Sequence, residues 1–191
     1  MKGNNHSNKQ GWGFTSHSNT ERQPDDYYAT DPIAIDLLLK QEPFNSHIWE
    51  CACGGGHLSR RLIEHGYKVY STDLIDRGYG VSEVDFLECY DPFDGDIITN
   101  PPYKYLNKFI LKGLELTNRK LAILGRIQTL ETKSRFNDIF KDNPPARVYV
   151  FVRRLKVAKN GDFDGGGSAV CYAWFVWDKL YDGEPVVRWL I

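Results

Sequence analysis

Short apolar runs alternate along the chain with segments whose apolar residues recur every three or four positions, and each kind predicts a different element. Residues 1–25 show neither period. They are rich in Asn, Ser, Gly and His and are expected to be a mobile amino-terminal segment, with Trp12 and Phe14 as side chains that could dock elsewhere. In YYATDPIAIDLLLK, Asp31 can cap a helix that has Pro32 in its first position and Ile33, Leu37 and Leu38 on one face. HIWEC (47–51) reads as a strand, and CGGGHLSRRLIEHG as a glycine turn entering a helix that Gly66 ends. KVYSTD (68–73) reads as a second strand. A less regular stretch containing VDFLE leads to the apolar strand ending at Ile97-Ile98-Thr99. A helix with Leu106, Phe109, Ile110 and Leu114 on one side comes next. Leu121–Leu124 is a further strand, Ser134–Phe140 a short helix, and Arg147–Val152 and Ala169–Trp177 two more strands. No internal repeat is present. Strands alternating with helices predict an α/β fold: a mostly parallel sheet covered on both faces, with ligands at the carboxyl ends of its strands.

Bulk properties narrow the class. With 191 residues, 41% of them hydrophobic, the chain can bury a sizeable single core. No stretch is long and apolar enough to cross a membrane, and MKGNNHSNKQ lacks the apolar centre of a signal peptide, so a cytoplasmic location and no membrane partner are expected. Cys51, Cys53, Cys89 and Cys171 are too irregularly spaced for a disulfide framework. The C-x-C pair has no second pair or His-x-x-x-His beside it, so no metal centre is expected and the thiols are read as reduced and packed.

The net charge of −1 hides a division along the chain. Residues 1–103 carry 8 Lys+Arg against 16 Asp+Glu, residues 104–160 carry 14 against 4, and residues 161–191 carry 2 against 5. A basic block is either a solvated face or a surface that meets phosphates. Its position directly after Asn100-Pro101-Pro102-Tyr103 favours the second reading.

Two turns carry candidate chemistry. Prolines at 101 and 102 cannot continue a strand or a helix, so the buried strand runs out of the core into a stiff turn presenting an amide and an aromatic ring. The turn after the first strand reads Glu50-Cys51-Ala52-Cys53-Gly54-Gly55-Gly56-His57-Leu58, whose glycines let backbone approach a ligand. A dinucleotide loop, G-x-G-x-x-G from Gly54, would end on glycine where this chain has Ser59. Glu50 would repel a pyrophosphate but not a cationic ligand.

The glycine turn resembles the cofactor loop of S-adenosylmethionine-dependent methyltransferases, whose amino-methylating members often read Glu-Pro-Ala-Cys-Gly-x-Gly. Ala52, Cys53, Gly54 and Gly56 match, and Cys51 replaces the proline. The resemblance implies a Rossmann-like class I methyltransferase fold with a seven-stranded, mostly parallel sheet and an antiparallel last strand, in a domain spanning 26–191. It implies S-adenosylmethionine as cofactor, with Gly54 to Gly56 against it and Glu50 facing its methionine end. By the same resemblance Asp73 binds the ribose hydroxyls, Asp85 and Phe86 the adenine amine and ring, and Thr30 belongs to a segment closing over the methionine.

NPPY matches the catalytic motif of amino-group methyltransferases. An exocyclic amine on a base is a poor nucleophile because its lone pair is delocalised. The Asn100 side-chain oxygen and the Pro101 carbonyl, held by Pro102, can grip its hydrogens and turn the lone pair toward the methyl group, with Tyr103 stacking on the base. The order of the motifs resembles small phage-type adenine-N6 DNA methyltransferases, implying methylation of DNA, and RVYVFVRRLKVAKNGDFDGGGSAVCYAWFVWDK resembles that fold's closing hairpin. Nothing after Tyr103 is long enough for a separate target-recognition domain. Nucleic-acid contacts are therefore expected from loops carrying Arg126, Lys133, Arg135, Arg153, Arg154, Lys156 and Lys159, with GDFDGGG allowing movement. NPPY also occurs in enzymes that methylate ribosomal RNA guanine or the glutamine amide of release factors, and a non-catalytic binder keeping the fold is a third reading.

Overall fold

The computed structural model describes residues 28–159 and 170–191, together with the backbone but not the side chain of Lys159. The expectations for residues 1–25, for Trp12 and Phe14, and for GDFDGGG lie outside the described residues. The elements run β1 (Tyr28–Thr30), α1 (Ile33–Leu39), β2 (His47–Glu50), α2 (His57–Glu64), β3 (Lys68–Ser71), β4 (Asp96–Thr99), α3 (Leu106–Leu116), β5 (Lys120–Arg126), β6 (Arg147–Phe151), β7 (Val157–Lys159), β8 (Tyr172–Asp178) and β9 (Val186–Leu190). Single helical turns fill the connections, and Lys133–Phe140 is a short α turn running into a π turn.

Seven strands form one sheet in the order β3-β2-β4-β5-β8-β6-β9. All pair in parallel except β8, which runs antiparallel to both β5 and β6. The expected mostly parallel seven-stranded sheet is present, with one difference in detail. The antiparallel strand is β8, and β9 follows it, adding a parallel edge strand beside β6. β9 is not expected from the sequence pattern; it is a short edge strand in which Val187, Arg188 and Trp189 are exposed.

Every central strand buries both faces, which is why these segments read as continuous apolar runs. Ile98, Ala122, Leu124, Trp174 and Val176 meet α1 and α2 through Ala34, Ile35, Leu38, Leu58 and Leu62. Ile97, Leu121, Ile123, Phe175 and Trp177 meet α3 through Leu106, Phe109 and Ile110. In α1 the buried face is Ala34, Ile35 and Leu38, whereas Ile33 is exposed and Leu37 half-buried. The Asp31 carboxylate does accept from the Ile33 N–H at 3.0 Å, so the capping expectation holds while the inner face is rotated from the one expected. At Gly113 a Cβ would stand 2.6 Å from Leu121 Cδ1, so α3 approaches β5 closely there.

The amino ends of the strands carry a buried ionic cluster. Lys120 and Glu42, 1% and 2% exposed, are paired, and Arg147 bridges Glu42 (2.5 Å from Nε) to Asp178 (2.9 Å from Nη2). Burial alone would raise the Glu42 carboxyl, but hydrogen bonds from Arg147, Lys120 and Tyr149 outweigh it and hold the group below the usual carboxylate range. Removing one member of such a pair leaves an uncompensated charge in the core. Lys120→Met is expected to destabilise the protein by about 3 kcal/mol in urea denaturation at pH 7. A midpoint equal to that of the parent would show that the cluster does not hold this end of the sheet.

Candidate active site

β2, β3 and β4 deliver their carboxyl ends to one edge of the sheet, and the two turns singled out in the sequence meet there. In the first, Gly54 and Gly56 adopt φ of +53° and +79°, backbone that favours glycine, and Gly56 opens α2. Asp73, just past β3, holds this turn. Its Oδ2 accepts from the Gly54 N–H at 2.8 Å and its Oδ1 from the Ile75 N–H at 2.9 Å. Asp85 accepts through Oδ1 from the Leu87 N–H at 2.9 Å. Ala52 is half-buried and Cys53 buried, with the Cys53 N–H donating to the Thr72 carbonyl and so tying the turn to β3.

Glu50 points inward. It is 2% exposed, accepts a hydrogen bond from Ser59 Oγ on α2, and Ser59 Oγ in turn lies 2.7 Å from Ser71 Oγ. Burial, with the nearby Asp73 charge adding to it, pushes the Glu50 carboxyl up to about 8 against the opposing bond from Ser59.

Phe86 and Thr30, the two other expected cofactor contacts, are both buried. Phe86 is 2% exposed in the core, stacked on Phe109 at 5.0 Å and edge-on to Trp49 at 5.1 Å. It is a packing residue with no face open to an adenine ring. Thr30, buried on β1, meets the second turn, its Oγ1 accepting from Asn100 Nδ2 at 2.8 Å.

The second turn follows β4. Asn100 Nδ2 also donates to the Tyr28 carbonyl at 3.3 Å. Among the described residues, three buried side-chain oxygens lack a hydrogen-bond partner, and all lie at the end of β4 and in this turn: Thr99 Oγ1, Asn100 Oδ1 and Tyr103 Oη. Pro101 is buried and Pro102 exposed, and the Pro102 carbonyl accepts from the Tyr105 N–H at 2.9 Å. The Tyr103 ring packs on Tyr172 with centroids 6.2 Å apart, and the exposed Arg126 guanidinium lies over it at 4.9 Å. Burial, with Tyr172 close by, raises the Tyr103 hydroxyl well above its ordinary range.

The basic side chains divide. Arg126, Lys133, Arg153, Arg154 and Lys156 are exposed. Arg135 is structural: Nε donates to Asn107 Oδ1 at 2.9 Å, and Nη1 to the carbonyls of Gln128, Thr129 and Glu131, stapling the 127–131 turn to α3. The Lys159 side chain lies outside the described residues. No group of three His, Cys, Asp or Glu able to hold a metal occurs among the described residues.

Sequence reasoning missed the groups that cover the glycine turn. The Tyr79 ring lies where a Cβ on Gly56 would be, 2.3 Å from it, and Arg60 stacks on that ring at 4.4 Å while donating to the Gly55 carbonyl at 2.6 Å. Gly78 and Gly80, both at positive φ, flank Tyr79, and the spelling Gly-Tyr-Gly was the available signal. Gly54 and Gly56 at positive φ and three acids, Glu50, Asp73 and Asp85, suit a ligand with a cationic centre and ribose hydroxyls.

The fold is similar to that of class I S-adenosylmethionine-dependent methyltransferases of known structure. The chain superposes on a candidate class I S-adenosylmethionine-dependent methyltransferase from Listeria monocytogenes with a TM-score of 0.55 and 15% identity, covering 83% of this chain and 61% of that one. It superposes on the modification subunit of a candidate type I restriction enzyme from Vibrio vulnificus YJ016 with a TM-score of 0.57 and 13% identity, covering 83% and 45%. Magnesium protoporphyrin IX methyltransferase from Synechocystis PCC 6803, solved with S-adenosylmethionine bound, gives 0.50 and 15%, covering 76% of each chain. The chain thus spans less than two thirds of the Listeria and Vibrio proteins. No protein-family model and no curated protein sequence matches it.

The buried Glu50 gives a pH signature. Its native carboxyl is raised to about 8 from an ordinary value of 4.5, so between those values the folded protein holds a proton that the unfolded chain has lost. The stability that Glu50 contributes therefore falls as pH rises through that window, by up to ~1.4 kcal/mol per pH unit. Urea denaturation at pH 5.5, 6.5 and 7.5 should show a steeper loss in the parent than in Glu50→Gln, and parallel profiles would count against a neutral Glu50.

Proposed function

We propose that the chain transfers a methyl group from S-adenosylmethionine to an exocyclic amino group of a nucleobase, adenine N6 in DNA. The observation that carries this reading is Asn100 Oδ1, a buried acceptor without a donor, beside an Nδ2 group already committed to Tyr28 and Thr30. An unpaired buried acceptor costs free energy comparable to a lost hydrogen bond, about 1–3 kcal/mol, and an incoming N–H donor removes that cost.

The chain's own residues supply the remaining steps. The acids at the glycine turn hold the cofactor: Asp73 and Asp85 toward its hydroxyls and base, and Glu50 toward its cationic end. A nearby cation favours the ionised form of Glu50. Bound there, S-adenosylmethionine provides an electrophilic methyl on a sulfonium. Asn100 Oδ1 and the Pro101 carbonyl accept the two amine hydrogens, leaving the nitrogen lone pair to attack. The N–C bond forms as the C–S bond breaks, and the amine proton, acidic only once nitrogen is positive, leaves along the Asn100 and Pro101 acceptors to water. The Arg126 guanidinium lies over the Tyr103 ring. A stacked base displaces it, and Arg126 is then placed to pair with phosphate. Exposed Lys133, Arg153, Arg154 and Lys156 extend the phosphate-facing surface.

The test is methyl-labelled S-adenosylmethionine with duplex DNA, heat-denatured DNA, ribosomal RNA and protein offered in parallel, the products digested and separated by mass spectrometry. N6-methyladenine from DNA is expected. Label in ribosomal RNA guanine or in a glutamine amide would reassign the substrate, and no label anywhere would return the chain to a binding role. Asn100→Ala should lower turnover by at least about 100-fold with cofactor affinity nearly intact. Asp73→Ala should weaken calorimetric cofactor binding by roughly 10- to 100-fold, since it removes charge-assisted bonds and loosens the Gly54 turn together.

A further inference from the structure

The catalytic turn is completed by a segment seventy residues earlier in the chain. Asn100 Nδ2 donates to the Tyr28 carbonyl and to Thr30 Oγ1, both on β1. A backbone carbonyl only accepts, so the amide edge facing Tyr28 must be the NH₂, and the oxygen is forced to the opposite side. Thr30 Oγ1 takes the shorter of the two bonds, 2.8 Å against 3.3 Å, and is buried. β1 is paired with neither β2 nor β4. It is an outlying strand whose backbone pairs antiparallel with β7, Tyr28 opposite Lys159 and Thr30 opposite Val157, with Asp31 N–H donating to the Lys156 carbonyl.

We infer that Thr30 is a positioning residue for methyl transfer, acting through Asn100 and not through the cofactor. Its hydroxyl adds the shorter bond that holds the Asn100 side chain in the orientation the Tyr28 carbonyl selects, with Oδ1 free to accept the substrate amine. Without the hydroxyl, Nδ2 keeps the longer bond to the Tyr28 carbonyl and one of its hydrogens loses its acceptor. The side chain then rotates among orientations in which Oδ1 no longer meets an amine on the attack path. A displacement on the order of 1 Å at a reacting group costs about 10²-fold in rate. The β1–β7 ribbon gives the clamp its support, and β7 follows directly on the exposed Arg153, Arg154 and Lys156, so the clamp is anchored next to the surface expected to meet phosphates.

This inference rests on the proposed role of Asn100, and the experiment separates the two. Parent, Thr30→Val, Thr30→Ser and Asn100→Ala are compared for turnover on the DNA substrate, calorimetric affinity for S-adenosylmethionine, and the ¹⁵N signals of the Asn100 side-chain amide, assigned by their loss in Asn100→Ala. Thr30→Val keeps the shape and removes the acceptor. It is expected to lower turnover about 10- to 100-fold, to shift the Asn100 amide signals, and to leave cofactor affinity within about threefold. Thr30→Ser should restore both turnover and signals. A Thr30→Val protein that turns over like the parent while Asn100→Ala is inactive overturns the clamp and leaves the proposed function standing. So does a loss of cofactor affinity equal to the loss of turnover, which would make Thr30 a cofactor contact. Parent-like turnover by Asn100→Ala sinks the proposed function itself, and unmoved amide signals in Thr30→Val then remove the clamp as a structural fact too.

Discussion

Asp96, the first residue of β4, is wholly buried and accepts from two backbone N–H groups, Asn45 at 2.6 Å and Lys120 at 2.8 Å. One carboxylate thus fixes the start of β4 against the approach to β2 and against the first residue of β5. A slip of one residue would exchange Ile97 and Ile98 between the two core faces and carry Asn100 to the other side of the sheet. Burial raises the Asp96 carboxyl, and the two N–H bonds oppose that rise, so the group is held in place by the same contacts that set the register. The Glu42–Lys120–Arg147–Asp178 cluster continues this anchoring toward β6 and β8. Both features lie at the amino ends of the strands. The carboxyl ends can then carry unpaired polar groups without loosening the fold.

Charge is segregated around that carboxyl edge. Glu50 and Asp73 lie beside the glycine turn, while Arg126, Lys133, Arg153 and Lys156 lie on segments following β5 and β6. In the proposed reaction a cationic donor meets an anionic polymer, and each finds the opposite charge on its own side of Asn100. Arg135 shows how the basic side is built, because its bonds to three carbonyls hold the 127–131 turn in place.

Much of this was readable from residue order. Both core-facing sets of β4, β5 and β8 announce themselves as uninterrupted apolar runs, and the two turns are marked by glycine and proline, whose backbone limits act locally. What escaped depends on partners distant in sequence. Three-residue strands such as β1 and β7 have no period to detect, and they exist only because they pair across more than 120 positions. Phe86 is a case where a plausible ligand contact and a plausible core residue have the same spelling, and burial against Phe109 and Trp49 decides between them. Tyr79 over Gly56 reflects a return of the chain onto the turn, closed by Asp73 N–H to Val81 O and Val81 N–H to Ser71 O, and strand and helix signals are silent on such contacts.

The Tyr28 carbonyl also bears on why position 100 is an amide and not a carboxylate. Either side chain presents an oxygen to an incoming amine, and a carboxylate would be the stronger acceptor. But the other half of the group faces a backbone carbonyl at 3.3 Å, where an amide NH₂ is satisfied and a second carboxylate oxygen would set lone pair against lone pair. The same edge of the side chain meets Thr30 Oγ1, which can accept or donate, so only the carbonyl discriminates. An asparagine at this place is therefore the residue that can be bound firmly on one edge and left open on the other. That asymmetry follows from β1 lying against the NPPY turn, and the turn alone would not require it.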